Sequence, residues 1–230
     1  MIEEKLQEVR EKIKEAAERS GRNASDITLI AVTKTHGAEE INCAIDAGVT
    51  DIGENKVQEI LEKYEAVKPV RWHLIGHLQT NKVKYIIDKV CLIHSVDSIH
   101  LMDEIERQAA KHDLIMPILI QVNISGEETK FGIRPEEIEE YLLHAGTLSH
   151  VKVRGLMTIA PKVNKNISHR LHFDNIHKIF IDISQKKYDN VSMEYLSMGM
   201  SGDYQCAIDA GSNMVRVGSA IFGERNYQNK

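Results

Sequence analysis

A lysine at the end of an apolar run is a candidate for covalent chemistry on a carbonyl group. Lys34 closes the segment Ile27-Thr28-Leu29-Ile30-Ala31-Val32-Thr33. If that run is a strand, Ile30, Val32 and Lys34 share one face. Two readings stand side by side: a solvated lysine just beyond a strand, or an amine that captures an aldehyde as a Schiff base. The second needs an unprotonated amine, hence a pKa lowered from about 10.4, which partial burial supplies. Further along, Ser201-Gly202 and Gly218-Ser219 each follow a short apolar run. Glycine and serine ahead of a helix leave backbone N–H groups to hold an anion. A plain turn with Ser201 as N-cap is the alternative. Two such loops together favour a phosphorylated ligand.

The elements that position these residues follow from periodicity. Leu6, Val9, Ile13 and Ala16 fall on one helical face among charged residues, so the chain opens on an amphipathic helix. It stops near Ser20-Gly21. The run 27–33 is β-branched and too short for a helix, which predicts a strand buried on both faces. Further strands are expected near 50–53, 70–75, 90–94, 116–123, 151–158, 193–198 and 214–217. Helical stretches are expected at 39–46, 56–67, 81–88, 99–111, 135–145, 168–185 and 204–209. Pro135 suits a first helical turn, with Glu136 and Glu137 where the dipole favours acids. Strand–helix alternation implies parallel strands, and eight units in this length predict an α/β chain folded as a single (β/α)8 TIM-type barrel over residues 1–230, with an extra N-terminal helix. A doubly wound open sheet is the rival, but no G-x-G-x-x-G follows the first strand.

In such a barrel the site lies at the C-terminal strand ends, with phosphate held after strands seven and eight. Both Gly-Ser pairs fall there, and Lys34 ends strand one. Polar groups at Gly53-Glu54-Asn55, Trp72 through Gln79, Gln121 through Gly126 and Gly155 through Thr158 predict a wet or ligand-filled mouth, since a sealed core would penalise them. His73 and His77 are four apart, but on a strand and loop, without metal-ligand geometry. His169, His172 and His177 read as solvated histidines of an amphipathic helix. Lys130 and Arg134 with Glu127 and Glu128 read as a solvated charged loop.

Bulk properties narrow the field. The 230 residues are 42% hydrophobic and 27% charged, with net charge −5, so no global attraction to nucleic acid or acidic membranes is expected. No apolar run reaches the ~18 residues of a membrane span, and the charged N-terminus lacks a secretory apolar core. Three cysteines without C-x-x-C spacing predict buried thiols in a reducing cytoplasm.

The combined motifs resemble the YggS/PROSC family, the pyridoxal phosphate homeostasis proteins, from about Leu6 to Arg225. The resemblance rests on Ala31-Val32-Thr33-Lys34-Thr35, Gly53 through Glu59, Trp72 through Lys82, and Val122-Asn123-Ile124-Ser125 with Lys130-Phe131-Gly132. Arg154 through Thr158, Leu196 through Asp203 and Val215 through Gly223 complete it. Thr35-His36-Gly37 departs from a pattern that often carries proline. The resemblance implies a fold-type III barrel like that of alanine racemase, with pyridoxal 5′-phosphate (PLP) as an internal aldimine on Lys34. It implies further that Ser201, Gly202, Gly218 and Ser219 bind phosphate, that Asn55 and Met157 border the ring with His77 near by, and that Arg216 faces the pyridine nitrogen. An arginine donates and cannot accept, which favours an unprotonated ring nitrogen and weakens the ring as an electron sink.

The resemblance also frames the function. Alanine racemase-like enzymes carry a second β-domain that supplies a catalytic tyrosine, and here only seven residues follow Gly223. A two-base reaction would lack its second proton donor. The expectation is a cytoplasmic, monomeric PLP carrier or regulator serving vitamin B6 and amino-acid balance, with PLP-dependent apo-enzymes as partners. It has no catalytic residue, metal, nucleic acid or membrane. A weak racemase-like PLP enzyme acting on an amino acid is one alternative. A barrel enzyme for a phosphorylated sugar, by fold analogy, is another.

Overall fold

The computed structural model describes residues 1–127, 129–161 and 169–223. Eight parallel strands close into a barrel in sequence order: β1 (Thr28–Val32), β2 (Asp51–Glu54), β3 (Arg71–Leu74), β4 (Leu92–Val96), β5 (Met116–Val122), β6 (Val151–Thr158), β7 (Val191–Met200) and β8 (Met214–Val217). Closure comes from β8 on β1, with Ile30 opposite Arg216 and Ala31 opposite Val217. The helices are α1 (Ile2–Arg19), α2 (Ala38–Asp46), α3 (Val57–Lys63), α4 (Ile99–Lys111), α5 (Ile138–Ala145), α6 (His169–Ser184), α7 (Tyr204–Asp209) and α8 (Ser219–Phe222). The expected barrel and its leading helix are therefore present.

Two apolar layers follow from the period of two along each strand. Outward residues such as Ala31, Ile52, Leu74, Ile93, Val215 and Val217 meet the helices in the main core. Inward residues Ile30, Leu92, Leu119, Met157 and Met214 fill the barrel. The helix α1 buries Leu6, Val9, Ile13, Ala16 and Ala17 and packs against α7 and α8, which support the loops after β7 and β8.

Several boundaries differ from expectation. Residues 80–85 form a 3-10 helix in place of an α-helix over 81–88, and α3 ends at Lys63, short of 67. The fourth strand begins at Leu92 because Val90 still completes the preceding turn, its N–H bonding Ile86 O. Ser168, Glu128 and Arg225 lie outside the described residues. The thiols are not buried: Cys43 and Cys91 are exposed and Cys206 half-buried. Cys43 sits on the exposed face of α2 and Cys91 at the lower barrel rim, while Cys206 packs partly against the main core. The helix α6 histidines are not fully solvated either. His169 Nε2 meets Pro161 O at 3.0 Å, and the His177 ring lies where a Cβ on Gly211 would fall, 2.5 Å away. Among the described residues no helix is long and apolar enough to cross a membrane.

Candidate functional site

Strands β1, β2, β7 and β8 end around a cavity of about 290 Å³, near the lower limit for small-ligand sites. Lys34 and His36 reach it from the loop after β1, Asn55 from β2, Ser201 and Gly202 from β7, Arg216 from β8, and Gly218 and Ser219 from the loop beyond. Of the residues selected from the sequence, all but Met157 and His77 meet here. Met157 points inward but is fully buried in the barrel filling. The register shift of β6 between Val153 and Gly155 sets which of its residues turn in, and at what height. His77 stacks on Phe131, with ring centroids 4.0 Å apart, and its Nδ1 lies 3.2 Å from Asp97, on another sector of the rim.

The backbone around Lys34 is clamped from both sides. Lys63, near the end of α3, donates to Thr33 O at 3.0 Å, to Glu54 Oε1 at 2.8 Å and to Glu59 Oε2 at 2.7 Å. Glu59 Oε2 in turn accepts Thr35 N–H at 2.7 Å. Thr35 needs that restraint: its φ of 69° lies in the left-handed region that β-branched residues avoid. Glu54 is fully buried and also accepts the Thr33 hydroxyl at 2.7 Å. Burial raises its pKa against the pull of Lys63 and Thr33. Burial pushes Glu59 the same way, but Lys63 and the Thr35 N–H outweigh it and hold the carboxyl below its usual range. Gly37, where the family pattern was interrupted, is extended at φ −77°, ψ 165°, a conformation open to most residues, proline included.

The Gly-Ser loops are tied to each other. Ser201 Oγ accepts Gly218 N–H at 3.1 Å and Ala220 N–H at 3.4 Å, which joins the β7 and β8 loops over the cavity. Ser219 opens α8, where first-turn N–H groups have no partner within the helix. A Cβ on Gly218 would lie 3.2 Å from Val32 Cβ, so any side chain here would push the loop off β1 by a few tenths of an ångström. Gly76 serves Asn55 similarly, since a Cβ there would come within 2.3 Å of Asn55 O. Asn55 Oδ1 is buried without a hydrogen-bond partner among the described residues, an acceptor left for a ligand.

Arg216 lies beneath, 4% exposed. Its Nη1 donates to Ser197 Oγ at 2.6 Å and its Nη2 to Thr158 O at 2.9 Å. Burial lowers its pKa to about 10, with Asp203 acting in the opposite direction, so the guanidinium stays charged at neutral pH. Sequence reasoning missed His36 in the lining and, beneath it, the buried Ser197 that accepts from Arg216. Ser197 could have been found from its inward phase, two residues before Gly199 and four before Ser201.

The site combines a half-buried lysine, an anion cradle and a buried arginine. The family model for the alanine racemase N-terminal domain matches residues 5–226. A pyridoxal phosphate homeostasis protein of Aquifex aeolicus (strain VF5) is 44% identical over 226 residues, covering 97% of this chain and 98% of its own. The chain belongs to the pyridoxal phosphate homeostasis family. PipY of Synechococcus elongatus PCC7942, solved with PLP bound, matches with a TM-score of 0.83 at 30% identity, covering 97% of this chain and 100% of its own. An alanine racemase of Clostridium difficile 630 matches with a TM-score of 0.73 at 18% identity, over 95% of this chain and 56% of its own. At that identity the barrel fold alone is shared.

Proposed function

We propose that this protein binds PLP covalently through Lys34 and serves cellular PLP homeostasis as a carrier without efficient catalysis of its own. One observation carries the reading: Lys34 shares a single cavity with Arg216 and the Ser201, Gly218 and Ser219 cradle. The residues fit the cofactor's parts. The Ser201 hydroxyl, which ties the two loops as an acceptor and keeps a proton to donate, suits a phosphate. The unpartnered Asn55 Oδ1 suits a donor beside the ring, and Arg216 suits an unprotonated ring nitrogen. When bound, PLP supplies an aldehyde that an unprotonated amine captures. The protein's part is positional. The Lys63 cluster fixes the chain on both sides of Lys34, Ser201 holds the two phosphate loops together, and Arg216 keeps a fixed positive charge below.

The carrier reading rests on the lining. Among the described residues, the titratable side chains of the lining apart from Arg216 are Lys34 and His36, both from the loop after β1. Racemisation needs proton-transfer groups on opposite faces of the reacting carbon, and one loop offers a single side. A monomeric protein in the cytoplasm that passes PLP to apo-enzymes fits this arrangement. The test is an absorbance spectrum of the purified protein before and after borohydride, followed by peptide mass mapping. A reduced pyridoxyl group on Lys34, lost in Lys34→Ala, is expected. An unmodified Lys34 in PLP-saturated protein overturns the reading, and lysine-dependent turnover of amino acids near 1–1000 per second overturns the carrier role.

A further inference from the structure

Beside the apolar filling of the barrel runs an unbroken polar file. At the lower rim, Arg71 Nη2 donates to Asp51 Oδ2 at 2.6 Å, and His73 Nε2 lies 2.8 Å from Asp51 Oδ1. His73 Nδ1 is 3.0 Å from His94 Nε2, and His94 Nδ1 is 3.0 Å from Ser197 Oγ. Ser197 Oγ accepts from Arg216 Nη1 at 2.6 Å. His94 and Ser197 are fully buried. The ends open on different cavities: Arg216 on the upper one, and Asp51 and His73 on a lower one of about 240 Å³. His73 was expected at the upper mouth. Its place on β3 instead puts it at the bottom of the barrel.

We propose that Asp51, His73, His94 and Ser197 form a directed hydrogen-bond chain that orients Arg216 and transmits the protonation state of His73 at the lower mouth to the upper cavity. Donor and acceptor rules fix its direction. Asp51 is ionised: burial opposes this, but His73, Arg71 and Thr50 hold its pKa down to about 2. It therefore accepts from His73 Nε2–H. In neutral His73, Nδ1 is then an acceptor, so His94 Nε2–H must donate to it. Burial, with His73 and Arg216 adding to it, keeps His94 neutral, so His94 Nδ1 accepts the Ser197 hydroxyl. Arg216 can only donate and completes the chain on the serine oxygen.

Protonating His73 reverses every link above it. His73 Nδ1–H now donates to His94 Nε2, the His94 proton moves to Nδ1, and Ser197 Oγ receives two donors. Its own hydroxyl proton loses its acceptor in a fully buried position, and the Arg216 contact changes with it. The groups facing His73 are Asp51 from β2, Arg71 from its own strand, His94 from β4 and the Cys91 sulfur at 3.5 Å. Arg154 and Tyr195 line the same cavity from β6 and β7.

The relevance to PLP rests on the function proposed above, but the chain itself is testable without cofactor. The experiment is imidazole and guanidinium 15N–1H NMR on the ligand-free full chain, with the Arg216 signal assigned by its loss in Arg216→Lys. His94 is expected as the Nε2–H tautomer at neutral pH. When His73 is protonated on acidification, His94 should switch to the Nδ1–H tautomer, and the Arg216 signal should shift with it over the same pH range. Ser197→Ala should leave the His94 switch intact and abolish the Arg216 shift. His73→Gln, which keeps a polar partner, should make both signals independent of pH over that range. A His94 tautomer that ignores His73, or an Arg216 shift that survives in His73→Gln, overturns the proposal. Failure of PLP to attach to Lys34 would sink the functional reading and leave these titrations standing.

Discussion

Lys63→Met removes the cation from the cluster behind Lys34, and with it the bonds to Thr33 O, Glu54 and Glu59. The side chains of Lys63, Glu54 and Glu59 are 11%, 0% and 18% exposed. Removing one partner of a buried pair costs about 3–5 kcal/mol, because the remaining charge has no water to turn to. Glu59 is within reach of solvent and adds little, so a loss of about 3–4 kcal/mol at pH 7 is expected. The assay is urea unfolding followed by the fluorescence of Trp72, the one tryptophan of the chain and a buried one. Burial already raises Glu54 above its ordinary 4.5, and loss of Lys63 raises it further. A raised folded-state pKa means that the folded protein binds the proton more tightly. The deficit is therefore full above the folded pKa and shrinks as pH falls toward 4.5. Glu54→Gln combined with Lys63→Met should recover much of it. A loss below about 1 kcal/mol, or an equal deficit at pH 7 and pH 5, refutes the reasoning.

Two further outcomes follow from single contacts. Gly218→Val would press a side chain onto Val32, 3.2 Å from the Cβ position, and push the phosphate loop off β1. A PLP affinity about tenfold weaker, or about 1.4 kcal/mol, with an unchanged urea midpoint is expected by equilibrium dialysis; unchanged affinity would contradict the cradle. Asp51 is held down from 3.8 to about 2, so its ionisation contributes about 2 kcal/mol that is present above pH 3.8 and lost as pH falls toward 2. In Asp51→Asn the stability-against-pH curve should be flatter between pH 4 and pH 3 than in the unsubstituted protein.

The sequence by itself determined the architecture and the location of the site. Short apolar runs alternating with amphipathic stretches implied parallel strands, and eight such units in this length favoured a barrel over an open doubly wound sheet. The period of two makes Ile30, Val32 and Lys34 one face, and Met214 and Arg216 another. Hence Lys34, Ser201, Gly202, Gly218 and Ser219 could be assigned to one mouth from strand ends alone. Tertiary structure decided what lies between and behind them. His73 and His94 meet 21 residues apart, and His94 and Ser197 meet 103 apart. Those contacts depend on barrel closure and on register shifts in β4 through β8, which no local pattern encodes. Lys63 is an ordinary helix lysine in sequence. It becomes the clamp on Thr33 only because α3 folds back against β1 and β2. Met157 shows the same limit: its inward phase was legible, but its depth in the barrel was set by the bulge at Gly155.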